Sequence, residues 1–350
     1  MLVVVLAALA THYVVRHQIA PHALARAYYA DRVLEGVREP PYRYRVLKPV
    51  MGSAVERCLE GVLAKRRDRH VAAYALIALV TFAGVFGLLH GYLRDLLGEG
   101  AALVGLLLFQ GVVPLSVTGQ MMMGDYLTLL FYLVGFRLML GGREAYLPLL
   151  VAVAALNREQ AVVMVAFYGV YVASQGMVGH LRKRAVIYGS LVAYVLVFAG
   201  LRIALGRPPS RFTMGLHLAH NTAPANLWGQ ILPVWGLGVL PLAALSVVAY
   251  RRSNRFFRAG LWCLIPYTAA FFVKGNLWEL AKFLPAYLIL LPMGLQALCG
   301  RFIPEAMPSH QPRPQAAQAR AGLGGAEPSV APEPACDELT CAPTLPCPPP

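Results

Sequence analysis

Apolar runs alternate with short polar breaks along most of this chain. A first run covers residues 2–15. Later ones cover 71–93, 101–118, 126–140, 146–156, 160–175, 185–205, 230–249, 259–273 and 280–298. A helix needs about 20 apolar residues to cross a bilayer, and most of these runs reach or approach that length. The pattern predicts an all-α polytopic transmembrane protein with roughly nine or ten spans and a long first loop behind the first of them. The first run is short. It reads as a short span or as the remainder of one that starts upstream, and Ala8-Leu9-Ala10 resembles a signal-peptidase site without a basic leader. An anchor and a cleaved signal both place the following residues outside the cytoplasm.

Residues 16–70 form a polar insert. His22 to Val37 reads as a helix, and Asp31 and Glu35, four apart, share one of its faces. Either carboxylate would suit a general base. Next comes Pro40-Pro41-Tyr42-Arg43-Tyr44-Arg45-Val46-Leu47-Lys48-Pro49. Two adjacent prolines favour an extended backbone, in which Arg43 and Arg45 point one way and Tyr42 and Tyr44 the other. Guanidinium forks match phosphate oxygens. The segment therefore reads as a phosphate-recognising loop or as a basic juxtamembrane stretch against anionic lipid, and composition alone favours the second. Pro49 opens a further helix, with Met51, Val55, Leu59, Val62 and Leu63 on one apolar face, suited to lie in the interface.

Asn157-Arg158-Glu159 interrupts the apolar stretch 146–175. A charged residue at the bilayer centre costs ~2.5–3.5 kcal/mol on insertion scales, which favours a break at a membrane surface or inside a protein-lined cavity over one continuous helix.

Composition sharpens the class. The chain has 350 residues, 58% hydrophobic and only 14% charged, with mean hydropathy +0.56. Soluble domains carry about 25% charged residues. The net charge of +14 lies in loops between apolar runs, where it sets topology and meets lipid, so nucleic acid is not an expected partner. Cys58, Cys263 and Cys299 lie in or beside apolar segments and are expected to be buried thiols. Residues 303–350, rich in Pro, Ala and Gln, are expected to be a disordered cytoplasmic tail, with Cys336, Cys341 and Cys347 as a weak zinc pattern and an unspecified tail-binding partner possible.

Positive-inside logic places Arg182-Lys183-Arg184 and the run Arg251, Arg252, Arg255, Arg258 in the cytoplasm. Counting spans from these anchors puts 16–70, Gly124-Asp125, 157–159, 206–229 and 274–282 on the outer side. Lys65-Arg66-Arg67-Asp68-Arg69 strains this count by lying outside as well. Four polar sites then share one face: Asp31 and Glu35 with Arg43, Arg45 and Lys48; Asp125; Asn157-Arg158-Glu159; and Glu279 with Lys282. Each has a plain structural explanation, such as a helix cap at Asp125, an ion pair at Glu279 and Lys282, or an interhelical pair at Arg158 and Glu159. Together they point to a cavity for a lipid headgroup. His217 and His220 in the 206–229 loop are a possible metal pair but more simply polar loop residues, and Met121-Met122-Met123 reads as packing.

The order of these motifs carries a resemblance: an apolar start, a long outer loop with an acidic residue, Pro-Tyr-Arg-Tyr-Arg-Val-Leu-Lys-Pro, Gly-Asp-Tyr, Asn-Arg-Glu, and Trp278-Glu279-Leu280-Ala281-Lys282-Phe283-Leu284-Pro285. Over about residues 1–300 the chain resembles poorly characterised bacterial membrane proteins related to the GT-C glycosyltransferases. The resemblance implies a multi-pass enzyme of the bacterial inner membrane that takes a sugar from a polyprenyl-phosphate carrier on the extracytoplasmic face. Asp31, with Glu35 as alternate, would be the base. Arg43, Arg45 and Arg158 would hold the carrier phosphate, and Lys48, Asp125, Asn157, Glu159, Glu279 and Lys282 would complete the substrate site. The chain departs from better-known members in lacking an acidic pair just behind the first span and a DxD-like motif, so no metal or other cofactor is expected. A transporter or flippase for a lipid-linked or anionic solute, and a non-catalytic membrane scaffold, are the alternatives.

Overall fold

The computed structural model describes residues 1–117, 123–206, 208 and 214–300. Met121-Met122, the 303–350 tail and its three cysteines lie outside the described residues. Within them the chain is helical, with no strand. Helix α1 (Leu2–Val14) continues through a π-helical stretch (Val15–Ile19), so the first run reaches 18 residues and is long enough to cross a membrane. Its last turn admits Arg16 and His17 without ending the helix.

The polar insert folds into α2 (Ala23–Leu34) and α3 (Leu47–Cys58). Both lean on the first part of α4 (Arg66–Leu97), a helix of 32 residues. Gly98 follows at φ +86, a left-handed conformation that glycine adopts without steric cost, and turns the chain into α5 (Glu99–Ser116). After α6 (Met123–Leu140) come α7 (Leu147–Asn157) and α8 (Ala161–Ser174), then α9 (Leu181–Leu205). Short pieces α10 (Met214–Thr222) and α11 (Pro224–Asn226) lead into α12 (Leu232–Gly238) and α13 (Leu240–Ala249). Finally α14 (Arg255–Lys274) precedes a 3₁₀ stretch (Leu280–Ala286) that runs into α15 (Tyr287–Cys299).

Six of these helices are long and apolar enough to cross a membrane, or seven with the bent pair 224–252 counted once. The molecule is thus a multi-pass, all-α membrane protein. Phe82, Phe86, Phe109 and Tyr287 tie α4, α5 and α15 together through tilted and edge-on ring contacts. Leu280–Cys299 is the central element, 78% buried in the bundle, whereas Leu181–Leu205 is 11% buried and offers its sides to lipid. That contrast has no counterpart in hydropathy, because lipid and protein core both accept apolar side chains. For the same reason the cysteine expectation fails. Cys58 and Cys299 are exposed and Cys263 is half-buried.

The apolar stretch 146–175 is two short helices. Arg158 at the break has extended backbone, φ −157 and ψ 145. Its backbone groups are satisfied locally, with Arg158 N–H donating to Ala154 O (2.9 Å) and Ala161 N–H to Arg158 O (3.2 Å). The Asn157 amide donates to Thr128 Oγ1 at 2.8 Å, fixing the break against α6.

The helices have two polar ends. At one end Arg137 bonds Asp95 (3.1 Å), Lys183 bonds Glu144 (2.5 Å) and Ser253 bonds Gln296 (2.6 Å). At the other end, α4 begins, α9 finishes, and the 157–160 break meets the polar insert.

Candidate functional site

The Tyr-Arg-Tyr-Arg segment is a turn, which corrects the extended reading. Pro41 has ψ −6, and Tyr42–Tyr44 form a 3₁₀ turn closed by Tyr44 N–H to Pro41 O (3.2 Å) and Arg45 N–H to Tyr42 O (3.1 Å). Distant partners fix this geometry. Arg43 donates to Arg38 O (2.8 Å) and to Leu205 O at the end of α9 (2.7 Å). The Tyr44 hydroxyl donates to Gly206 O at 2.9 Å, and the Arg202 guanidinium lies 4.3 Å from the Tyr44 ring centre. Arg43 and Arg45 therefore diverge. Arg43 caps α9, while Arg45 reaches Glu159 in the helix break at 3.3 Å, with its guanidinium 5.1 Å from the Tyr42 ring centre.

Arg158 and Asp125 form a buried two-pronged pair, Nη1 to Oδ1 at 2.6 Å and Nη2 to Oδ2 at 2.8 Å. Asp125 is thus committed to a cation from the break between α7 and α8. Glu159 is engaged at one oxygen only. Its Oε1 is buried and has no hydrogen-bond partner among the described residues. Glu279 and Lys282 form an ion pair at the start of the 3₁₀ stretch.

These groups border two adjoining cavities that share Tyr42, Arg45 and Arg158. The larger, about 520 Å³, carries charges of both signs, including Glu159, Glu279, Lys282, Lys274 and Arg202. The narrower, about 50 Å³, is lined by Arg26, Arg45, Lys48 and Arg158 with Tyr29, Tyr42 and Tyr74, and among the described residues no carboxylate borders it. Such a space holds a few water-sized groups, since roughly 10–15 Å³ by this measure admits one water. Tyr74 organises its floor. The Arg26 guanidinium and the Lys48 ammonium each lie 5.5 Å from the Tyr74 ring centre, and His70, bonded to Glu56 at 2.7 Å, stacks on the same ring. The ring fits because position 52 is glycine: a Cβ there would meet Tyr74 ring atoms at 2.6 Å. Burial pulls Lys48 well below the usual lysine range, reinforced by the charges of Arg26 and Arg158 and opposed by Asp125.

The expected site residues separate into two groups. Arg45, Lys48, Asn157, Arg158, Glu159, Glu279 and Lys282 line the two cavities, and Asp125 stands behind Arg158. Arg43 is structural by its contacts. Asp31 lines neither cavity and pairs with Arg66 near the surface, while Glu35 is exposed at the end of α2. The reason is helical geometry. Arg26 points into the bundle, and Asp31, five residues later at about 100° per residue, points away from it. Arg26, Tyr74 and Arg202 were not among the candidates. Arg26 sits in an alanine-rich helix and Tyr74 and Arg202 in long apolar ones, so nothing local marks them. His217 and His220 sit on helix α10, which corrects the loop reading. His217 bonds Asn276 (3.0 Å), His220 accepts from the Trp278 indole (3.0 Å), and among the described residues no group of three or more His, Cys, Asp or Glu is arranged to hold a metal.

No protein-family profile matches the chain, and neither does any curated protein or any solved structure.

Proposed function

We propose that the two cavities are the active site of a membrane glycosyltransferase that uses a polyprenyl-phosphate-linked sugar, in the manner of the GT-C enzymes. One observation carries this function: a narrow cavity ringed by Arg26, Arg45, Lys48 and Arg158, with no carboxylate among the described residues that line it, opens beside a larger cavity bordered by Glu159, whose Oε1 has no hydrogen-bond partner among the described residues. The carrier phosphate would lie among the four cations, and the sugar and its acceptor would occupy the larger space. Glu159 is better placed than Asp31 to be the base. Its carboxylate would take the acceptor hydroxyl proton as that oxygen attacks the anomeric carbon. The anomeric carbon–phosphate oxygen bond breaks with inversion, and the leaving phosphate keeps the electron pair, stabilised by the cations around it. The basic clusters near residues 182–184 and 251–258 lie at the opposite end of the helices, which supports an extracytoplasmic cavity in a bacterial inner membrane.

The test is turnover of a panel of polyprenyl-phosphate sugars by membranes containing the protein. Wild type should consume one donor and release polyprenyl phosphate, Glu159→Gln should lose this activity, and Asp31→Asn should keep it. If no donor in the panel turns over faster than in membranes without the protein, the assignment fails.

One observation favours a transporter instead. Among the described residues one span is broken, at Val239, where the helix axis bends by 42°. Broken helices flank substrate sites in transporters. Flux of an anionic solute into proteoliposomes without any covalent product would select that function.

A further inference from the structure

We propose that anion binding in the narrow cavity is coupled to proton uptake by Lys48: a phosphate-type dianion entering between Arg26, Arg45 and Arg158 converts the Lys48 amine to an ammonium. This rests on the assignment of that cavity as the phosphate site. The titratable and charged groups that line the cavity with Lys48 are Arg26 and Tyr29 from α2, Tyr42 and Arg45 from the turn, Tyr74 from α4, and Arg158 from the helix break. Three of them are guanidiniums, which keep their protons at any physiological pH. Burial pushes the Tyr29 hydroxyl above its usual range. Lys48 is therefore the one cavity-lining cation able to relieve the crowding by releasing a proton.

The neighbouring carboxylates offset this only in part. Asp125 is held by both prongs of Arg158 at 2.6 and 2.8 Å, and Glu159 is turned to Arg45 at 3.3 Å. The Lys48 ammonium position faces an aromatic ring, 5.5 Å from its centre, and makes no ion pair among the described residues. The pull on Lys48 toward the neutral amine agrees with this arrangement. A dianion among these groups reverses the balance. A proton moves from buffer to the Nζ lone pair, an N–H bond forms, and the new donor points at the anion. His70 with Glu56, stacked behind Tyr74, is a second pair near the cavity able to take a proton, and the test separates Lys48 from every other group.

Inorganic sulfate is the probe, because it is a tetrahedral dianion that does not titrate across the working range. Calorimetry on the detergent-solubilised full chain at one pH, in two buffers of different ionisation enthalpy, reads the protons taken up. The expected result is sulfate binding whose heat differs between the buffers by up to one proton. Apparent affinity should fall by at most about tenfold per pH unit as pH rises. Lys48→Arg, which keeps the charge and cannot release it, should bind with buffer-independent heat. Absence of sulfate binding to wild type would overturn the phosphate-site assignment itself. Binding with buffer-independent heat in wild type would leave that assignment standing and overturn the proton coupling. Uptake that persists in Lys48→Arg would assign the proton to another group, such as His70–Glu56, and equally overturn it.

Discussion

Asp125→Ala is expected to destabilise the protein by ~3–5 kcal/mol, the cost of leaving one member of a buried ion pair without its partner. The geometry sets this size. The Asp125 and Arg158 side chains are 1% and 7% exposed, and the two contacts at 2.6 and 2.8 Å make a strong two-pronged pair. Removing the carboxylate strands a guanidinium that already shares its cavity with Arg26, Arg45 and Lys48. In the folding equilibrium the loss is roughly a hundredfold to a few thousandfold. Reversible unfolding in mixed micelles, titrated with SDS and followed by far-UV circular dichroism, measures it. A double variant, Asp125→Leu with Arg158→Met, removes both charges and should recover most of the loss, because an apolar pair of similar volume replaces a buried ion pair at little cost. An Asp125→Ala variant within about 1 kcal/mol of wild type would refute the reasoning. It would mean that water or lipid headgroups reach Arg158 in the folded protein.

Gly52→Ala places a Cβ 2.6 Å from Tyr74 ring atoms and should cost ~1–3 kcal/mol by overpacking, read in the same unfolding assay. Anion binding should weaken with it, since Tyr74 is the surface on which Arg26 and Lys48 rest. Tyr44→Phe loses the hydrogen bond to Gly206 O and should cost about 0.5–1.5 kcal/mol, with the turn and the cation–ring contact of Arg202 retained. Stability should rise with pH from neutrality toward 10.5, the ordinary lysine value. Lys48 is held below that value in the folded chain, so within this window the unfolded chain binds the extra proton and raising the pH favours the fold. Lys48→Met should flatten this slope in a pH series of unfolding titrations.

Much of the architecture was legible because a bilayer imposes one length on every apolar run. The break at 157–159 was legible too, since charge in an apolar stretch has few tolerable placements. Lys282 and Glu279 were readable as a pair from their spacing of three. The turn at Tyr42–Tyr44 was not, because its shape depends on carbonyls at Leu205 and Gly206, more than 160 positions away in sequence. Nor was the inward face of α2. Asp31 carries the more conspicuous chemistry, yet Arg26 is the residue turned to the cavity, and only packing against α3 and α4 decides which face is inside. The helix α10 hides its anchors in the same way, since His217 and Asn221 find their partners in the loop at 275–277.

The central claim is that the cation-lined cavity receives the phosphate of a polyprenyl carrier. Mass spectrometry of the lipids that co-purify with the protein tests it most directly. Wild type should retain a polyprenyl phosphate, or its sugar-linked form, and Arg45→Ala should lose it while keeping bulk phospholipid. Bulk phospholipid alone with both proteins, after purification from membranes that contain the carrier, would contradict the claim.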